Sequence, residues 1–207
     1  MRTLNNTVSS TGYAFVFALL ALVSATVWSY EGRVVDKDTG KPIEGAYVIG
    51  TWRGYIPDWV QRSSTCYHLE TTITDKDGWF SLPPWSWNFA PWIVDRERGL
   101  HIYKAGYSRL WTGNRENTVW HIAPFKGITK ERLDELFGIR GNTDCGPSKY
   151  HQEKLLGLNK ALLEESKAIS ADSQDKKVVN SLQHAVDRLE FGEEEAYRRL
   201  KAGVYGK

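Results

Sequence analysis

Glu70-Thr-Thr-Ile-Thr-Asp75-Lys-Asp-Gly78-Trp-Phe80-Ser-Leu82-Pro-Pro84 is the stretch on which the fold turns. Thr and Ser alternate with apolar residues on both sides of Asp77-Gly78, the pattern of two half-buried strands joined by a tight turn. The expectation is a β-hairpin, with Trp79 inside its second strand and buried. Pro83-Pro84 stop that strand, because proline has no N–H to give to a ladder.

Upstream, Glu31 to Asp36 alternates in the same way before the turn cluster Asp38-Thr-Gly40-Lys-Pro42, and Ile43 to Trp52 resumes a strand pattern. Downstream, Trp92 to Asp95, His101 to Ala105 and Thr118 to Ile122 read as further short strands. Two aromatic stretches, Tyr55 to Cys66 and Trp85 to Pro91, read as irregular surface loops. Many short strands punctuated by Gly and Pro predict an antiparallel β-sandwich.

The period changes at Tyr150. Leu155, Leu158, Leu162 and Ile169 form one apolar stripe, Val178, Val179, Leu182, Val186 and Leu189 a second, and Ser170-Ala-Asp172 separates them. The spacing predicts two amphipathic helices in a hairpin over 150–205. Residues 126–149, which include Cys145, read as a linker.

The chain opens with Arg2, the only charged side chain before Glu31, and then an apolar run from Tyr13 to Trp28. This is the layout of a secretory signal peptide. Two small-residue exits fit it, after Ala25 or after Ser29. A retained membrane anchor is the alternative, and the run is shorter than the roughly 20 residues a bilayer core requires. Export to a periplasmic or extracellular space is therefore expected, with membrane contact only if the segment is kept.

That compartment bears on the two cysteines, Cys66 and Cys145. In an oxidising space an isolated pair most simply forms a disulfide. The competing arrangement is a tetrahedral metal site from Cys66, His68, His121 and Cys145, since residues two apart on a strand share a face. No C-x-x-C clamp supports it. The chain carries 27 basic and 25 acidic residues. Near-neutrality argues against a nucleic-acid partner, which needs clustered Lys and Arg.

The run Gly32 to Val48, with Asp36, Gly40, Pro42, Gly45 and Ala46, taken with Thr72 to Pro83, resembles the carboxypeptidase regulatory-like domain. That resemblance covers roughly residues 30–125 and implies a transthyretin-like (prealbumin-like) sandwich of about seven strands, similar also to the B-type repeats of bacterial surface adhesins. The fold class expected is thus mainly β, a transthyretin-like antiparallel sandwich followed by a helical hairpin. The whole chain, with Cys66, His68 and Asn142-Thr-Asp-Cys145-Gly, resembles exported bacterial proteins that carry this domain and have no assigned function, so no activity follows.

The sequence carries no catalytic or metal-binding signature. Asp75-Lys-Asp77-Gly78 could open a calcium loop, but Trp79 and Ser86 stand where its fifth and twelfth positions need oxygen ligands. There is no glycine-flanked Ser, no His-Glu-x-x-His and no His-x-x-Glu. The C-terminal Tyr-Arg-Gly-Ser of hydroxyisourate hydrolases is missing too. No cofactor is implied.

Tryptophan remains. Trp52, Trp59, Trp79, Trp85, Trp87, Trp92, Trp111 and Trp120 all fall in the β segment. Indole faces stack on sugar rings and extended peptides. Trp52, Trp59, Trp85, Trp87 and Trp92 lie near Gly or Pro and are the candidate binding residues, with a core role as the bland alternative; Trp79 and Trp120 are expected in the core. The reading is a non-catalytic envelope module that presents aromatic loops to a protein or glycan. The alternative is a hydrolase or metal-dependent enzyme built on Cys66, His68, His121 and Cys145.

Overall fold

A computed structural model describes residues 30–56, 63–83, 94–112, 118–146, 148–170 and 176–202. The signal segment and Trp59, Trp85, Trp87 and Trp92 lie outside the described residues. Among the described residues, seven strands come first: β1 Tyr30–Asp36, β2 Tyr47–Ile56, β3 Ser63–Ile73, β4 Trp79–Leu82, β5 Val94–Tyr103, β6 Leu110–Thr112 and β7 Val119–Ile122. Four helices follow: α1 Thr129–Thr143, α2 Lys149–Ile169, α3 Lys176–Phe191 and α4 Glu193–Lys201. The architecture is mixed α/β rather than mainly β.

The strands form a three-stranded sheet, β4-β1-β7, and a four-stranded sheet, β3-β2-β5-β6. All pairs are antiparallel except β1–β7, which is parallel, so the expectation of a purely antiparallel fold is corrected. The expected hairpin is corrected as well. β3 pairs with β2 and β4 with β1, so Asp75–Gly78 is a corner that carries the chain from one sheet to the other. The turn itself is tight: Gly78 N donates to Asp75 O at 2.9 Å, and Asp75 Oδ1 accepts from Asp77 N and Trp79 N. Gly78 takes a φ of 77°, and a Cβ there would stand 2.5 Å from Val34 O, so only glycine fits the corner.

Two apolar layers result. Val34 of β1, Phe80 and Leu82 of β4, and Trp120 and Ile122 of β7 meet Val48 of β2 and Leu100 and Ile102 of β5 in one cluster. The sheets come close here because Gly50 has no side chain; a Cβ at that position would stand 2.9 Å from Leu82 Cδ1. On the opposite face of the four-stranded sheet, Ile49, Leu69 and Tyr103 pack with Leu136 and Ile139 of α1, Leu158 and Leu162 of α2, and Leu182 and Val186 of α3. Alternation along β2 and β5 sends successive residues into the two layers, as a strand buried on both faces requires.

The linker expected over 126–149 is largely helix α1. Its buried positions Leu133, Leu136 and Ile139 recur every three residues, and Glu131 accepts Ile128 N–H at its start. The helical stripes over 150–205 hold, but Gly192, at φ 88°, breaks the second into α3 and α4. Tyr55 to Cys66 is not all loop: β2 runs to Ile56 and β3 starts at Ser63.

A buried ion pair ties the helices to the sheet. Arg132 of α1, 3% exposed, donates to both carboxylate oxygens of Glu165 on α2, to Glu135 Oε2 at 3.0 Å and to Tyr107 O at 2.7 Å. Glu165 also accepts Tyr103 O–H and Gly106 N–H. Burial alone would raise the Glu165 carboxyl, but the hydrogen bonds from Arg132, Gly106 and Tyr103 hold it below its ordinary value.

Candidate functional site

Cys66 and Cys145 are joined by a disulfide, with Cα atoms 4.9 Å apart. The bond links edge strand β3 to the turn between α1 and α2. Both sulfurs lie 3.5 Å from His68 O. Neither thiolate is therefore free to bind metal. His121 sits on β7 in the other sheet, exposed, paired in register with Val35. The four proposed metal ligands do not converge, and no group of three or more His, Cys, Asp or Glu suited to a metal occurs among the described residues.

What does gather beside the disulfide is a polar cluster on β3 and α2. His68 Nε2 stands 3.2 Å from Glu70 Oε1. Lys154 Nζ donates to Glu70 Oε2 at 2.8 Å, and Tyr150 O–H donates to Glu70 Oε1. The His68 ring stacks on Tyr150 at 6.0 Å and meets Trp52 edge-on at 5.1 Å. His151 Nδ1 lies 3.0 Å from Cys145 O.

The charges in this cluster offset one another. Burial raises the Glu70 carboxyl, yet the Lys154 and Tyr150 hydrogen bonds outweigh it and keep Glu70 ionised. Burial pushes His68 below its ordinary value, against the opposing pull of Glu70, so the imidazole is neutral at pH 7. Tyr150 is raised by burial and by its bond to Glu70, which keeps its proton on. Tyr150 and Lys154 thus both donate to one carboxylate, with the His68 ring beside it. Sequence reasoning named His68 but not Glu70, Tyr150 or Lys154; nothing in their spacing brings β3 and α2 together.

The tryptophans also move. Trp52, a candidate binding residue, is 2% exposed. It follows Gly50 on the same face of β2 and fills the space that the missing side chain leaves. Trp120 is buried as expected, whereas Trp79, expected in the core, is half exposed. The reason is alternation: Phe80 and Leu82 point inward, so Trp79 and Ser81 point outward.

Trp79 lies on the outer face of the three-stranded sheet. Arg33 is its partner in register, with the guanidinium carbon 6.0 Å from the ring centroid and Nε donating to Asp77 O at 2.7 Å. Glu31 pairs with Ser81 on the same face, at 3.4 Å between Oε1 and Oγ. On the other side of β1, exposed Val119 and His121 complete the surface. An indole bordered by a guanidinium, a carboxylate and a hydroxyl can stack on an apolar ring face while hydrogen-bonding its substituents.

No family model matches the chain, and no curated protein does. Among solved structures, a 9R-lipoxygenase from Cyanothece PCC8801 is similar at 11% identity and a TM-score of 0.29, over 89% of this chain and 33% of that one. This chain thus spans one third of that protein, and a likeness so slight carries no argument about fold or activity.

Proposed function

We propose that the chain is an exported, non-catalytic binding module of the cell envelope whose two sheets form a transthyretin-like sandwich of the carboxypeptidase regulatory-like type. Sheets of three and four strands around a shared apolar layer support the fold assignment. The disulfide supports an oxidising compartment, and no helix among the described residues is long and apolar enough to cross a membrane.

The partner is a glycan. The single observation that carries this reading is Trp79, half exposed on a sheet face with Arg33, Glu31 and Ser81 beside it in register. Sugar rings present an apolar C–H face and a rim of hydroxyls, which is what this surface complements. The cluster around Glu70 supports the absence of catalysis, since its donors are already spent on that carboxylate.

Retention of the purified chain on insoluble envelope glycan, with and without Trp79→Ala, tests the reading. The expected result is at least a tenfold loss of retention at an unchanged melting temperature, because Phe80 and Leu82 still fill the core. Equal retention by wild type and variant would overturn the Trp79 surface; loss in Trp85→Ala, Trp87→Ala alone would move the site to the loop.

A further inference from the structure

The end of α1, the first half of α2 and the last turns of α3 line a small cleft of about 20 Å³ that opens to solvent. Its lining is uneven in charge. Arg140 enters from α1 and Arg188 from α3, and Asp144 is the one carboxylate among the described lining residues. Asp144 is itself engaged, since its Oδ1 accepts Gly146 N–H at 3.0 Å.

The guanidinium groups are poorly satisfied from within. Among the described residues, the side-chain hydrogen bond of Arg140 is a long one to Ser181 Oγ, 3.4 Å. Arg188 Nε is buried without a hydrogen bond, its nearest carboxylate, Glu193 Oε2, being 3.7 Å away. Burial first, and then the positive charge of Arg188, hold Arg140 below its ordinary value, with Asp144 opposing only in part. Two cations facing one cleft repel each other unless an anion lies between them.

A second observation is independent of charge. Asn159 is 6% exposed and lines the same cleft, yet its amide has no hydrogen-bond partner among the described residues. An amide at that position is free to donate to a group held in the cleft.

The geometry points to an oxyanion-binding site in this cleft, in which the forks of Arg140 and Arg188 take a carboxylate or phosphate group of a small ligand and the Asn159 amide donates to the same group. Leu155 and Leu189 line the same cleft, which is small, so the anionic group itself is what the site would hold. Arg is the side chain for this task because its planar fork matches both groups bidentately. The site lies apart from the Trp79 surface and does not depend on glycan binding there.

Thermal melts of the full chain test it, titrated with inorganic phosphate or with acetate at an ionic strength held constant by sodium chloride. A saturable rise in melting temperature is expected for at least one probe, and which probe gives it identifies the class of oxyanion. Arg188→Gln should weaken the apparent affinity at least tenfold, and Arg188→Lys, which keeps the charge but not the fork, should fall between. Asn159→Leu should weaken it severalfold while leaving both cations in place, and it serves where Arg188→Gln does not fold. Melting temperatures no higher in either probe than in sodium chloride, or wild-type affinity in Arg188→Gln or Asn159→Leu, would overturn the site.

Discussion

Arg132 grips Glu165 with two parallel bonds, Nε to Oε1 at 2.8 Å and Nη2 to Oε2 at 2.9 Å, inside the boundary between helices and sheet. Removing one partner of a buried pair strands the other charge, which costs about 3–5 kcal/mol. Arg132→Ala is therefore expected to lower unfolding free energy by that amount in urea. Arg132→Met with Glu165→Leu, which removes both charges, should be much closer to wild type.

His101 is buried on the helical side of β5, and burial, with Arg53 and Arg109 adding to it, pushes its imidazole down to about 4. Between its unfolded value of about 6.5 and 4 the unfolded chain binds more protons than the folded one. Stability from this group is full above pH 6.5 and is lost as pH falls through 4, about 3 kcal/mol in all. His68 is depressed in the same direction, also first by burial. Melting temperature measured from pH 7 to 4 should fall steeply, and His101→Gln should flatten the fall.

Two glycines with similar φ separate conformational strain from steric clash. Gly40, at φ 69°, has nothing within 4 Å of an added Cβ, whereas Gly78, at φ 77°, would bring one within 2.5 Å of Val34 O. Gly40→Ala should cost about 1 kcal/mol, the ordinary penalty of a left-handed residue. Gly78→Ala should cost clearly more, since the corner between sheets must also open. Urea midpoints for the two variants measured side by side check the order.

Reducing Cys66–Cys145 removes a cross-link over a sequence separation of 79. The chain-entropy model puts the loss at about 4 kcal/mol. Denaturation with and without reductant, alongside Cys66→Ser with Cys145→Ser, measures it. Intact mass before and after reduction and alkylation should show both thiols released together, and two free thiols in the purified protein would contradict the bond.

The sequence was most informative where one rule acted alone. The stripes at Leu155 to Ile169 and Val178 to Leu189 are helices because their period leaves one face apolar, and that face covers Ile49, Leu69 and Tyr103. The turn at Asp75–Gly78 was legible for the same reason, since the local chemistry of Asp75 and Gly78 dictates it. Which strand pairs with which was not legible: a turn fixes the direction of the chain and says nothing about whether the next strand hydrogen-bonds to the last. α1 was obscured by Gly138, Gly141 and a buried Arg132, which hide the spacing of Leu133, Leu136 and Ile139. Trp79 was misplaced by weighing tryptophan's general preference for burial above the alternation of its own strand. The Glu70 and Arg140 surroundings depend on helices meeting strands and helices far away in the chain, and no local pattern carries that.

The bond between Cys66 and Cys145 also makes the backbone from one to the other a covalent ring, closed over a sequence separation of 79 and holding most of β3, β4 to β7 and α1. Strands β1 and β2 leave it as one tail, α2 to α4 as the other. A single proteolytic nick within the ring adds one water to the mass and releases no fragment until a reductant is present. Outside the ring the same nick frees a piece of chain covalently, so the fragments seen without reductant map which exposed segments lie on the tails.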